Sequence, residues 1–451
     1  MYNQPLYDKK LPVLEAIVKS IPNKEVLDLD SITFVCVQHI LLTTVNLMDS
    51  LVELGANPSN IHIMGKSYSF CPQVADILIS KGYNYYFNKK QENLASFAAS
   101  FRDDIKCMWE KVYDSLYNKK NIKLIVILDD GGFCLTNVPE VIRKNYSLVG
   151  IEQTTSGLTN LRLRTLEFPI VEVATSAAKQ RVESLMIAEA VVKKLETVLP
   201  LEEKNLSCAV VGLGCIGSAV TKKLLSLNHR VKVYDKTLLK TKTFRRDTFV
   251  KNIETLFQES DYIFGCSGED ITKNLDIKNI NKPKTFISCS SQDKEFFTLL
   301  QQFQQHNCVY HNILDHLECK INNQTIKILR GGFPINLDNS GESVAAIDIQ
   351  LTRGLLLGGI IQGVLSVFQD SEQKKTLSMM LHPALQSFVI SQWRLYGSTF
   401  LFSSEFLDLF QNLTWIQDHS QGVMEENELL NEWCFKSSTY DQSLLSKRYT
   451  A

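Results

Sequence analysis

The sequence predicts an α/β protein of two domains, the second inserted into the first, each a parallel sheet covered by helices. Three observations lead there. Short runs of β-branched and apolar residues alternate with longer stretches of helical spacing, which is how buried parallel strands and their crossover helices read. Two of those runs end in glycine-containing loops, Asp129-Asp-Gly-Gly132 and Gly212-Leu-Gly-Cys-Ile-Gly217. The chain has 451 residues, more than one ordinary domain.

Composition narrows the class. Lys and Arg total 48 against 49 Asp and Glu, a formal charge of −1, which argues against nucleic acid or an anionic membrane as the main partner. Apolar residues at 44% and charged residues at 22% exclude a largely disordered chain. The N-terminus lacks the basic-then-apolar layout of a secretory signal. The longest apolar stretch, Gly354 to Phe368, is interrupted by Gly358, Gly359, Gln362 and Gly363 and is too short to span a bilayer. Eleven scattered cysteines, with no CxxC and no His-containing ligand cluster, read as reduced thiols without a metal site in a cytoplasmic protein.

Along the chain, Ser31–Val37 reads as a strand, followed by His39 and a helix carrying Leu42, Val45, Leu47, Leu51 and Leu54 up to Gly55. Ile61–Met64 is a second strand and Ile122–Leu128 a third, buried one that ends at Asp129-Asp130-Gly131-Gly132. Ligands of open α/β sheets bind at the carboxyl ends of strands, so that loop is informative. A polar helical stretch, Lys179 to Leu199, leads to the strand Cys208–Val211, the second glycine loop, a helix from Ser218 to Leu227 and the strand Val231–Tyr234. Tyr262–Gly265, Thr285–Ser288 and Thr325–Leu329 are further strands, and Val344–Phe368 is helical. The expected boundaries are a substrate-binding domain over 1–185, a cofactor domain over 186–343, return helices over 344–398 and an extension over 399–451 that pattern alone does not place. Trp393, Trp415 and Trp433 read as core or subunit contacts.

Gly212, Gly214 and Gly217 form G-x-G-x-x-G between a buried strand and a helix. The first glycine permits the tight turn, the second lets the backbone approach a pyrophosphate, and the third lets helix and strand pack closely. The helix start, with Cys215 and Ile216, offers N–H groups to the phosphates. Asp235 ends the next strand about 20 residues on, where a carboxylate accepts from both ribose hydroxyls and repels a 2′-phosphate. Strand, loop, helix, strand and acid together specify a Rossmann-type doubly wound sheet that binds NAD rather than NADP. Lys232, Lys236, Lys240 and Lys242 nearby read as solvated surface.

These segments, in this order, resemble S-adenosyl-L-homocysteine hydrolase, the adenosylhomocysteinase family. The likeness runs from about residue 30 to 365. It is carried by Cys36-Val-Gln-His39 with Leu51–Ala56, by Ile127–Gly132 with Leu135-Thr-Asn137, and by Gly150–Gly157 with Asn160-Leu161. Val173 through Lys179 to Leu185, the glycine loop and Ile335-Asn-Leu337 complete it. The resemblance implies a substrate domain interrupted by an NAD domain, and a cycle in which a ribose hydroxyl is oxidised, a thiol eliminated, water added and the ketone reduced again. It assigns catalytic roles to His39, Asp130 and Lys179, with Glu183 in place of the family's aspartate four residues after the lysine. It places Thr154 and Thr155 at the nicotinamide ribose and Asn336 at the carboxamide. It further implies a homo-oligomer, although the tail Ser446-Lys-Arg-Tyr-Thr-Ala451 shares only Lys447 and Tyr449 with the family's pattern.

The departures gather on the substrate side. Gln153 replaces a glutamate that holds the ribose, Leu41 and Thr43 replace groups of adenine recognition, and Tyr68-Ser-Phe-Cys71 replaces Ser-Thr-Gln-Asp. Cys289-Ser-Ser-Gln292 and Gly341-Glu-Ser343 stand where the family has histidine-containing motifs. A site built to hydrogen-bond a purine rejects analogues strongly, so these changes point to another nucleoside-like or sugar-like substrate. Three readings stay open: an enzyme of adenosylhomocysteinase type, an NAD-binding relative without catalysis that acts through partners, and a plain hydride-transferring dehydrogenase. Individual residues have plain readings too. His39 could cap the next helix, Asp130 could be a turn residue, and Lys179 could be a solvated charge.

Overall fold

The structure, a computed structural model, describes residues 10–396 apart from residues 22, 90–92, 118, 120, 166, 200, 202–204, 238–243, 245–247, 307, 309, 369–376. Lys240, Lys242, Trp415, Trp433, Lys447, Tyr449 and the whole 399–451 extension lie outside the described residues. The chain divides into two units. The first comprises Met1–Asn88, Arg102–Glu183 and Ala345–Ala451, the second Lys89–Phe101 and Ser184–Val344.

Thirteen strands occur among the described residues. They are β1 Ile32–Ile40, β2 Ile61–Phe70, β3 Asn84–Tyr86, β4 Leu124–Asp129, β5 Ser147–Glu152, β6 Ile170–Glu172 and β7 Ser207–Val211. Then follow β8 Arg230–Tyr234, β9 Tyr262–Gly265, β10 Lys284–Ser288, β11 Leu317–Ile321, β12 Gln324–Ile328 and β13 Ser378–Met380.

The first unit holds a seven-stranded sheet in the order β13-β6-β5-β4-β1-β2-β3, every pair parallel. Strand β4 is buried along its whole length, which explains its uninterrupted apolar run: helices cover both faces of such a sheet. One cover is the 23-residue helix Ala346–Phe368, packed on β4, β5 and β6 and flanked by the helices Pro12–Ser20, Leu42–Glu53 and Pro383–Tyr396. Two glycines set its distance from the sheet. A Cβ at Gly359 would stand 2.8 Å from Val173 Cγ2, and one at Gly363 would stand 3.0 Å from Val149 Cγ2. This helix is long and apolar enough to cross a membrane, unlike the shorter stretch expected from Gly354, because it begins at Ala346; 83% of its apolar window is buried inside the protein.

The second unit holds a six-stranded sheet, β11-β12-β10-β9-β7-β8, parallel except for the hairpin of β11 and β12. Alternate side chains of β7 feed two different cores. Ala209 and Val211 pack with Leu256, Phe257 and Phe296, while Cys208 and Val210 pack with Val191, Val220 and Leu224. Helices therefore lie on both faces, the doubly wound arrangement. A parallel bridge from Val233 to Phe249 extends the sheet beyond β8.

Several expectations need correction. Strand β2 continues six residues past Met64, to Phe70, and β3, β5, β6, β11 and β13 are additional strands. The helix after the second glycine loop begins at Cys215 rather than Ser218, and Lys179–Glu183 forms a π-helical turn ahead of the α-helix Ser184–Leu195. The cysteines are not all reduced: Cys308 and Cys319 form a disulfide, their Cα atoms 5.3 Å apart, a separation such a bond spans.

Candidate functional site

In the first sheet the strand order reverses between β1 and β4. From β1 the chain steps outward through β2 and β3, and from β4 it steps the other way through β5 and β6. At such a switch point the loops at the carboxyl ends diverge and leave room for a ligand. The charged residues of the unit converge there. His39 comes from the end of β1, Asp129 and Asp130 from the end of β4, and Glu152 and Gln153 from the end of β5. Lys66 and Ser69 come from a bulge in β2, where the register passes from Gln38↔Gly65 to Ile40↔Phe70. Extra residues on one strand re-aim side chains, and here they deliver Lys66.

Asp130, 1% exposed, is the hub. Its Oδ1 accepts from the fully buried Lys66 Nζ, its Oδ2 accepts from Gln153 Nε2 at 2.5 Å, and His39 Nε2 lies 3.4 Å from Oδ2. The other nitrogen of His39, Nδ1, is 2.5 Å from Ser69 Oγ. The loop that follows depends on backbone freedom: Gly131 has φ +109° and Gly132 φ +74°, conformations that glycine adopts without strain. Glu152 Oε1 fixes this loop by accepting the Gly131 N–H at 3.1 Å and both the N–H and hydroxyl of Thr154 at 2.7 Å. Asp129 Oδ2 accepts the Leu135 N–H at 2.9 Å.

Burial and neighbouring charge act against each other here. Burial opposes the charge of Asp130, but Lys66 and His39 outweigh it and hold the carboxyl at about 2. Burial also opposes the charge of Lys66, and Asp130 overrides it, so the ammonium persists above its usual range. His39 goes the other way. Burial drives it to about 3 despite Asp130, with Lys66, Arg353 and Lys179 adding to the effect, so the imidazole is neutral. Asp129 is lifted to about 7 by burial, and Glu152 is raised well above a normal glutamate by burial and by Asp129.

Arg353, on the core helix, is 3% exposed. Its Nε donates to Thr43 Oγ1 and its Nη1 to Gln38 Oε1, both at 3.0 Å. Burial lowers it to about 10, with Asp130 and Glu183 resisting. Lys179 pairs with Glu183 one turn on, and both side chains are largely buried, at 15% and 11% exposure.

In the second unit the glycine loop leaves β7 between β8 and β9. Gly212 has φ +94°, and a Cβ there would come within 2.7 Å of the Cys266 carbonyl group. A Cβ at Gly217 would lie 1.8 Å from Gly212 O, so the third glycine does set the approach of helix to strand. A Cβ at Gly214 would meet nothing within 4 Å: the space beside the start of the helix Cys215–Ser226 is open, as a phosphate cradle requires. Asp235 braces the loop, Oδ2 accepting the Leu213 N–H and Oδ1 the Thr237 N–H, each at 2.7 Å. Asn336 follows Ile335, whose N–H donates to Ser288 O at the end of β10. These residues fit a bound dinucleotide within this unit.

The first unit thus brings together His39, Asp130 and Gln153, with Lys179 and Glu183 as an adjoining ion pair. The plain readings of these residues do not hold, for His39 does not cap the following helix and Lys179 is not a solvated charge. Gln153, expected at the substrate, spends its amide donor on Asp130. Thr154, expected at the nicotinamide ribose, is the N-cap of the helix Thr155–Arg162, accepting from Gly157 N at 3.0 Å while donating to Glu152. Thr155 is that helix's first residue. Sequence reasoning missed Lys66 and Arg353. Arg353 had a legible signal, a lone charge inside the longest apolar helix, which has to find buried partners.

Comparison with known proteins places the second unit. Residues 175–275 match the model of the D-isomer specific 2-hydroxyacid dehydrogenase, NAD binding domain, so the chain carries an NAD-binding domain. That model belongs to a different NAD-dependent family from the one the motifs resemble. Two proteins of Mycobacterium tuberculosis strains, "Uncharacterized protein MT0113" and "Uncharacterized protein Rv0104", are each 26% identical over 348 residues, covering 76% of this chain and 66% of theirs. The chain therefore spans about two thirds of the length of the curated relatives it matches. Similar solved structures include dipicolinate synthase from Bacillus halodurans, with 12% identity, TM-score 0.40, 72% of this chain and 98% of that one. Another is NAD+-bound 3-phosphoglycerate dehydrogenase from Entamoeba histolytica, with 12% identity, TM-score 0.33, 68% of this chain and 93% of that one.

Proposed function

We propose that the protein is an NAD-dependent enzyme acting on a hydroxyl of a small nucleoside-like or sugar-like substrate, in the manner of the adenosylhomocysteinase family but with a different substrate. The observation that carries this reading is Asp130, a buried carboxylate at the switch point of the first sheet, gripped by Lys66, Gln153 and His39. Bound NAD supplies the hydride acceptor for oxidation of an alcohol carbon.

The chain's own residues supply position and proton transfer. Asp130, held at about 2 against its burial, is a fixed negative charge rather than a proton acceptor. Its role is to lock Lys66 and to orient His39, whose neutral ring presents Nε2 toward the carboxylate and takes the Ser69 hydroxyl at Nδ1. The proton of the substrate hydroxyl falls to the Lys179–Glu183 pair, where an amine and a carboxylate in contact can pass a proton between them without net charge transfer. Replacement of glutamate by Gln153 and of the adenine-recognition groups by Leu41 and Thr43 argues for a substrate other than S-adenosylhomocysteine.

Full-length protein loaded with NAD and mixed with a panel of nucleosides, sugars and hydroxy acids should develop the near-ultraviolet absorbance of reduced nicotinamide with one of them. Lys179→Ala should abolish that signal while leaving NAD affinity unchanged. A flat trace across the panel refutes the enzymatic reading. A glycine-loop variant that removes a cellular phenotype which Lys179→Ala preserves would instead favour an NAD-binding protein acting through partners.

A further inference from the structure

Arg353 is a buried cation without a matching anion. It makes no ion pair among the described residues, and both its hydrogen bonds end on neutral oxygens, Thr43 Oγ1 and Gln38 Oε1. Those contacts match two of the five N–H groups of the guanidinium. The carboxylates that influence it, Asp130 and Glu183, are already committed to Lys66 and to Lys179. Burying a charge without a counter-ion is unfavourable, and burial already draws Arg353 below its usual pKa. Its neighbourhood has the same sign: Lys66, Arg353 and Lys179 all disfavour a proton on His39, with Asp130 as the opposing group. Asp129 and Glu152, the remaining carboxyls at the strand ends, are pushed toward their neutral forms by burial. The switch point therefore carries an excess of positive charge with a planar fork of donors on one side.

We propose that the substrate carries an oxyanion, a carboxylate or a phosphate, that pairs with the guanidinium of Arg353. This rests on the reading of the Asp130 cluster as the substrate site. It deepens that reading by giving the substrate a net negative group, where a neutral nucleoside has none. Gln38 and Thr43 hold the guanidinium plane from its inner edge and so act as positioning residues.

The test uses NAD-loaded full-length protein and isothermal titration with two anions, malonate and inorganic phosphate, and the neutral analogue malonamide. Wild type should bind at least one anion and reject malonamide, and the preferred anion identifies the oxyanion class. Arg353→Gln should weaken that binding by about tenfold or more, the loss expected for a charge-assisted bidentate contact. Arg353→Lys should lose less, and both variants should keep wild-type NAD affinity, which reports that the chain is folded. Equal binding of malonamide and malonate by wild type overturns the proposal without any substitution. So does binding by Arg353→Gln within about threefold of wild type. Anion binding that depends on Arg353, with no nicotinamide reduction by any compound of the panel, would refute the redox reading and leave the anion site standing.

Discussion

Lys66→Met removes the cation of the buried pair while keeping most of the side-chain volume, and so isolates the charge. Lys66 is fully buried and Asp130 is 1% exposed, so no water replaces the lost ammonium. Asp130 would keep Gln153 Nε2 at 2.5 Å and His39 Nε2 at 3.4 Å, one neutral donor and one neutral ring. Breaking one partner of a buried ion pair destabilises by about 3–5 kcal/mol. Coulomb's law gives the same range, about 4 kcal/mol for unit charges in contact at an effective dielectric constant near 20. The loss should be greatest at neutral pH and shrink in acid. Without Lys66, burial dominates Asp130, its pKa rises, and protonation removes the unpaired charge. Urea unfolding followed by tryptophan fluorescence suits the measurement, because Trp109 and Trp393 are both buried in the first unit. The double variant Lys66→Met with Asp130→Asn should regain most of the loss. A single variant within about 1 kcal/mol of wild type at neutral pH, or a double variant no more stable than the single, refutes the argument.

The two inner glycines of the dinucleotide loop should separate cleanly. Gly217→Ala places a methyl 1.8 Å from Gly212 O and should unfold the loop, with NAD affinity lost and the second unit's melting temperature lowered. Gly214→Ala meets no protein atom within 4 Å, so the fold should persist while calorimetry shows NAD binding weakened about tenfold or more by the filled cradle. Gly157→Ala would set its Cβ 2.2 Å from Glu152 Cδ and tear that carboxylate from Gly131 and Thr154; a loss above about 2 kcal/mol in unfolding experiments is expected. His62, held neutral at about 3 by burial, sets an acid limit. The unfolded chain takes up that proton first, so the stability present above pH ~6.5 drains away between about pH 6.5 and 3, and His62→Gln should flatten this slope in pH-dependent unfolding.

The sequence made the second unit far easier to read than the first. Its loop needs glycine at three positions for three separate geometric reasons, and the spacing of those reasons is local. Asp235 was legible for the same cause, although it also braces the loop through Leu213 and Thr237, a role that spacing alone does not reveal. The Asp130 cluster is non-local: Lys66, Asp130, Gln153 and Arg353 meet through strand order and a bulge. Lys66 was lost when the second strand was ended at Met64, because Gly65 reads as a terminator and the bulge has no periodic signature. The motifs around His39 and Asp130 located the right strand ends but not their cation. The Cys308–Cys319 bond was invisible for a related reason, since it joins a loop residue to a hairpin strand whose pairing the sequence does not announce.

The order of the chain has a consequence for how this protein is made. The helix Ala346–Phe368 that covers β4, β5 and β6, and the edge strand β13, are translated after all of the second unit. Until the ribosome reaches them, the nascent sheet bears a bare hydrophobic face and an unpaired border, the condition in which half-made proteins stick to one another. Chaperone demand during synthesis should therefore rise after β4–β6 emerge and fall only once residue 380 clears the exit tunnel. Fragments that end before Ala346 belong in inclusion bodies rather than in solution.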